Sequence, residues 1–77
     1  METKQIVDRF RKTIIDYGIP NDQVVITPYS NGNHSGVIML NEISVVDYMT
    51  CNDQSAKLMA KQVAKDLHVS YRHGIGF

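Results

Sequence analysis

A chain of 77 residues is long enough for one small domain, which should bury only about 60% of the surface that its unfolded form exposes. Its eight basic and eight acidic residues cancel, whereas a dedicated nucleic-acid-binding domain usually carries a positive surplus. A single cysteine excludes an internal disulfide, and no apolar run approaches the ~20 residues of a membrane span, so we expect a cytoplasmic protein without a membrane partner.

The first predicted element is an amphipathic helix. Its apolar stripe recurs at helical spacing, at Ile6, Phe10, Ile14 and Tyr17. Thr3 can cap the start of this helix. The sequence Gly18-Ile19-Pro20 is typical of a left-handed C-terminal cap, after which proline prevents the helix from continuing.

Three strands should follow the helix. The segments QVVITPY, VIML and ISVVDYM are rich in β-branched and apolar residues, and the polar loop SNGNHSG and the Asn-Glu pair after VIML mark the turns between them. Pro28 cannot donate a hydrogen bond to a sheet, so it should lie at an edge or near the end of its strand. Strict alternation in the third strand would place Ser44 and Val46 on one face, with Ile43 and Val45 on the other.

A second helix should begin after the segment TCND, where Thr50 and Asp53 have the spacing of a capping box. Its inward stripe consists largely of small residues, namely Ala56, Ala60, Val63 and Leu67. Val69 and Tyr71 can add a short C-terminal strand. The order predicts an α+β fold, α-β-β-β-α, with both helices on one face of an antiparallel sheet.

This order resembles the double-stranded-RNA-binding domain over about residues 23–67. That family has an aromatic residue near the end of its first strand, a Gly-Pro-x-His loop, and a Lys-Lys-x-Ala-Lys start to its last helix. The corresponding segments of this chain are Tyr29, Gly32-Asn33-His34 and Gln54-Ser55-Ala56-Lys57. The resemblance implies a minor-groove role for His34 and a phosphate role for Lys57. The loop lacks the family's proline, and Asp53-Gln54 stands where the family has its lysine pair.

The clearest candidate binding surface lies on the second helix. At 100° per residue, an arc of roughly 80° contains Lys57, Lys61, Lys65 and His68. These residues could contact a phosphate backbone or an acidic partner, or they could form an ordinary solvated face. In the first hairpin loop, Asn33 and His34 are further candidates for contact with a ligand or nucleic acid, and the alternative is an exposed loop without a binding role.

Catalytic and metal motifs are missing from the sequence. No pattern brings Cys51 and His34 together as a catalytic pair, and His68 and His73 have neither helical register nor an acidic or cysteine companion. We therefore expect no enzymatic activity, no metal and no cofactor.

A non-catalytic binding module is the function that these features favour. The expected partner is a protein, as for small regulators, adaptors and inhibitors, including those that phages and mobile elements encode. Strand residues appear apolar on both faces in places, at Val24, Ile26, Ile38, Leu40 and Val46. The sheet face or edge could therefore hold the partner or a second copy of the chain, since a core this small rarely supplies more than roughly 3–5 kcal/mol. The alternative function is binding of duplex RNA or DNA through the last helix and the first hairpin loop.

Overall fold

The computed structural model describes residues 3–32, 35–47 and 53–74. Its elements in chain order are α1 (Thr3–Tyr17), a short 3-10 helix (Asn21–Gln23), β1 (Val25–Gly32), β2 (Ser35–Leu40), β3 (Ile43–Asp47), α2 (Asp53–Leu67) and β4 (Ser70–Tyr71). The predicted α+β fold is confirmed, as is the short C-terminal strand. Thr3 is already helical and so does not precede α1 as a cap would, while Thr50 of the predicted capping box lies outside the described residues.

The strands form one sheet in the order β3-β2-β1-β4. The pairs β1–β2 and β2–β3 are antiparallel, and β4 runs parallel to β1. The carbonyl oxygens of Val24 and Ile26 accept hydrogen bonds from Ser70 and Arg72 on the β4 side. Pro28 follows Ile26 by two residues, so its nitrogen points to the β4 side, beyond the last of these bonds. No backbone acceptor of β4 extends that far, so an inner strand can contain a proline at this position.

Both helices pack on one face of the sheet, and the core lies between the two layers. Its buried residues come from α1, α2 and the three long strands: Ile6, Val7, Phe10, Val24, Ile26, Ile38, Leu40, Val46, Ala56, Ala60, Val63, Ala64 and Leu67. All five strand residues that appeared to make the sheet apolar on both faces belong to this core. That interpretation was wrong for these five. The register places Ile26, Ile38, Leu40 and Val46 on the helix-covered face, and Val24, just before β1, is buried in the same core.

The alternation predicted for β3 is also wrong, because β3 contains a bulge. Val46 pairs with Ile38, whereas Ser44 pairs with Met39, and the register shifts between these two pairs. Since Ile38 and Met39 are neighbours that point to opposite faces, Ser44 and Val46 do so too. Val46 is buried and Ser44 is exposed. An extra residue in one strand reverses the alternation after it, and single-strand periodicity carries no sign of that change.

Both helices end in the same hydrogen-bonded motif. The amides of Gly18 and Ile19 donate to the carbonyl oxygens of Ile15 and Ile14, each at 3.1 Å. At the end of α2 the amides of His68 and Val69 donate to Lys65 and Ala64, at 3.2 and 3.0 Å. This is the Schellman arrangement, which requires a left-handed residue after the helix. Gly18 has φ +64°, as predicted, and His68 adopts φ +57° without being glycine.

We expect His68→Gly to stabilise the protein by roughly 0.5 kcal/mol. A residue with a Cβ costs about 1–2 kcal/mol in the left-handed conformation, and glycine removes this cost. Glycine also gives the unfolded chain more conformational freedom, which offsets about 0.4–1 kcal/mol of the gain. Urea unfolding followed by circular dichroism measures the change. Gly18→Val is the opposite control, since valine at φ +64° should destabilise by about 1 kcal/mol or more. A His68→Gly protein less stable than the wild type would mean that the imidazole makes a stabilising contact.

Candidate functional site

The three lysines of α2, Lys57, Lys61 and Lys65, form a surface that we call the basic strip. The buried side of α2 is centred on Ala60, so the three lysines lie together on one neighbouring side of the helix. Lys57 is half-buried, and Lys61 and Lys65 are exposed. The strip therefore lies between the core stripe and open solvent, on the side of the helix that faces β4.

Lys61 is positioned by an aromatic ring on β4. Its Nζ atom lies 5.7 Å from the centroid of the Tyr71 ring, which is within cation–π range. Tyr71 pairs with Ile26, a core residue, so the tyrosine ring faces the helix layer and not the other side of the sheet. The contact holds the middle of the basic strip against the short fourth strand.

The basic strip carries positive charge beside few described acidic groups. Among the side chains that the structure describes, none forms an ion pair with these three lysines. Asp66, the acid nearest in sequence to Lys65, accepts a hydrogen bond from Nε2 of Gln62 at 2.8 Å instead. Arg11 and Asp8 pair at 3.7 Å on α1, in the other helix. A chain with no net charge thus keeps a local positive surface.

The Tyr71 hydroxyl is buried and has no hydrogen-bond partner among residues 3–32, 35–47 and 53–74. Burial raises the pKa of this phenol, so it stays protonated at neutral pH and retains an unsatisfied donor.

We expect Tyr71→Phe to stabilise the protein by about 1 kcal/mol, because an unsatisfied buried polar group costs roughly 1–3 kcal/mol and phenylalanine keeps the ring beneath Lys61. Chemical unfolding compares the two proteins, and a clear loss of stability would show that the hydroxyl has a partner.

Two predicted site residues, Asn33 and His34, lie outside the described residues, as does Cys51, for which no catalytic role was predicted. His68 is exposed at the end of α2, where its left-handed backbone gives it a role in ending the helix. His68 therefore lies just after the C-terminal end of α2, close to the start of β4.

The strip follows the direction of α2 along the sheet. Only two residues separate α2 from β4, whose first residue pairs with the first residue of β1. The end of α2, with Lys65, therefore lies where β1 begins. The earlier turns of α2, with Lys57, lie towards the opposite end, where β1 stops at Gly32 and β2 starts at Ser35.

A second surface is the sheet face opposite both helices, which we call the open face. Its central residues are half-buried and mostly apolar: Val25, Thr27, Tyr29, Val37 and Met39. Apolar residues on both strand faces were predicted, but the residues named for this were the core ones. The residues of the open face are the odd-numbered ones of β1 and β2, and only the register shows that these share one face.

A groove of about 400 Å³ between α1 and β3 escaped sequence analysis altogether. Its walls are charged on the helix side, with Arg9, Lys12 and Asp16, and Val45 lies on the strand side. Tyr17 also lines it and is 65% exposed, so its assignment to the apolar stripe of α1 was wrong. In the last turn of α1, Ile14 packs against the core whereas Tyr17 lies at the groove, a difference that periodicity alone does not indicate.

Neither described helix has the length and apolar character that crossing a bilayer requires. Among residues 3–32, 35–47 and 53–74, no group of three or more His, Cys, Asp or Glu side chains is arranged to hold a metal ion. Comparison with protein-family models, with curated proteins and with solved structures finds no match, so the resemblance to the double-stranded-RNA-binding domain stays a prediction.

Proposed function

We propose that this protein is a non-catalytic binding module that docks on a protein partner through the basic strip. The observation that carries the proposal is the row of three lysines on one side of α2, with Lys61 and Lys65 exposed, on a chain whose total charge is zero. A positive surface of this kind is complementary to an acidic one and steers the two proteins together. The role is that of a small regulator, adaptor or inhibitor.

The shape of the strip supports one extended contact. Lys57 and Lys65 are eight residues apart, which is about 12 Å along a helix. Lys61 lies between them and is held over Tyr71, so the middle ammonium group loses less freedom on binding than a fully mobile one. A row of carboxylates on the partner's surface would meet all three groups together. The balanced overall charge favours a protein over a nucleic acid as that partner.

Replacing all three lysines of the basic strip with glutamine should weaken partner binding at least about tenfold, because charge complementarity at one patch is lost. Glutamine has nearly the same helix propensity, so stability should change by less than about 0.5 kcal/mol. The partner is first isolated by affinity capture from cells that encode the protein. Titration of the purified partner then gives the dissociation constant, which should rise with salt for the wild type.

The matched control removes the same charge from α1. Lys4, Arg11 and Lys12 are exposed, and their replacement by glutamine lowers the net charge equally. This control should bind within about twofold of the wild type, because surface changes outside a contact have small effects. Equal affinity of the strip variant and the wild type would refute the proposal.

Duplex RNA is a second candidate partner. It is favoured by the α-β-β-β-α order and by the location of Lys57 towards the end where β1 and β2 meet, since the related order in the double-stranded-RNA-binding domain uses that end. Gel-shift assays with duplex RNA and duplex DNA at low and moderate salt separate the candidates. A salt-sensitive shift that the triple-glutamine variant loses would replace the protein partner by nucleic acid, and no shift at low salt would exclude this candidate.

A further inference from the structure

We propose that two copies of this chain associate open face to open face, with Arg72 of each copy against the acidic β3 edge of the other. The open face lies on the opposite side of the sheet from α2. The inference therefore rests on different residues from the proposed function and does not depend on it.

The centre of the open face is a compact apolar patch. Thr27 pairs with Met39 and Tyr29 pairs with Val37, so these four residues form two adjacent rows across β1 and β2. The sheet face of a two-layer domain that meets water normally alternates towards polar residues. Here it remains half-buried and apolar. Covering it would add apolar burial that a chain of this size otherwise lacks.

Charged residues of opposite sign flank the patch. Asp47 pairs with Val37, so it lies on the open face at the β3 edge. Arg72 follows Tyr71, which faces the helices, and it lines a hollow of about 300 Å³ on the open face together with Val25, Thr27 and the turn residue Glu42. Neither Arg72 nor Asp47 forms an ion pair with another residue in the described part of the chain.

The two charges lie at opposite edges of a four-stranded sheet, roughly 14 Å apart across three strand spacings. A twofold axis parallel to the strands, through the middle of the sheet, places the β3 edge of one copy over the β4 edge of the other. Each Arg72 then lies near Ser44 and Asp47 at the β3 edge of the other copy, and the contact occurs twice.

The charges also select this axis over its alternative. A twofold axis perpendicular to the strands would place the β4 edge of one copy over the β4 edge of the other, with Arg72 against Arg72. Like charges in an interface are unfavourable. The open face is therefore complementary to itself in one orientation, which identifies a second copy of the chain as its occupant. Face-to-face sheets of this kind pack about 10 Å apart.

Sedimentation equilibrium of the wild type over a wide concentration range should give the mass of a dimer. Met39→Lys puts a charge in the middle of the patch and should raise the dimer dissociation constant at least about tenfold. Met39 is outside the core, so circular dichroism should show an unchanged fold. Leu58→Lys is the control, since Leu58 is an apolar residue of α2 that is 66% exposed, and it should leave the dimer intact.

A charge exchange tests the orientation of the dimer. Arg72→Glu alone and Asp47→Arg alone should each weaken the dimer, because each creates two repulsive contacts. An equal mixture of the two variants should form a heterodimer, because both of its contacts then join opposite charges. Lys12→Glu on α1 has the same charge change as Arg72→Glu and should have no effect.

A monomeric wild type at every concentration would overturn the proposal, as would a dimer that Met39→Lys leaves unchanged. A mixture of the two charge variants that stays monomeric would overturn the arrangement of Arg72 against the acidic edge. Loss of partner binding in the triple-glutamine variant is a separate result, since that variant should dimerise like the wild type.

Discussion

Replacing Phe10 with alanine is expected to lower the free energy of unfolding by about 3–5 kcal/mol. The Phe10 side chain is fully buried at the centre of α1, between the helix layer and the sheet. Its removal deletes the largest buried side chain of the described core and leaves a cavity that neighbouring groups fill only in part. A core of this size rarely supplies more than roughly 3–5 kcal/mol, so the variant should be close to unfolding.

Urea unfolding monitored by circular dichroism measures this loss. The control is Ile15→Ala on the same helix, because Ile15 is 71% exposed and its truncation should change stability by less than about 0.5 kcal/mol. A Phe10→Ala protein that unfolds at the same urea concentration as the Ile15→Ala protein would contradict the position of α1 over the core.

Asn41→Ala should destabilise the protein by about 2 kcal/mol, because Asn41 meets two requirements at the β2–β3 turn. It has φ +54°, which alanine adopts only with strain. Its side-chain Oδ1 atom accepts a hydrogen bond of 2.8 Å from the backbone N–H of Val25. The backbone N–H of Asn41 in turn donates to the carbonyl oxygen of Val25 at 2.9 Å. The turn of one hairpin thus holds the first residue of another strand.

Two further variants at this position separate the contributions. Asn41→Gly permits the positive φ but removes the acceptor, so about 1 kcal/mol of the loss should remain. Asn41→Asp keeps an acceptor at nearly the same place and should stay within about 1 kcal/mol of the wild type. Equal stabilities of the alanine and glycine variants would show that the backbone conformation contributes nothing.

The sequence by itself determined the order of elements and most of the core residues that the two helices supply. Helical spacing identified α1 and α2, and β-branched runs between turn residues identified β1 to β3. Gly18 was recognised as a left-handed helix end because that requirement is met within a few consecutive residues. The arc of lysines on α2 was likewise predictable, since the geometry of one helix fixes which of its residues share a side.

Only the tertiary structure decided which residues meet across the fold. The bulge in β3 and the composition of the open face depend on the register between strands, which no single segment contains. The contact between Lys61 and Tyr71 exists because β4 returns parallel to β1 beneath α2. Periodicity reports the preference of a segment for one side being buried. Which residues lie against that side is decided by packing between segments far apart in the chain. This packing places the basic strip beside β4 and leaves the open face without a helix.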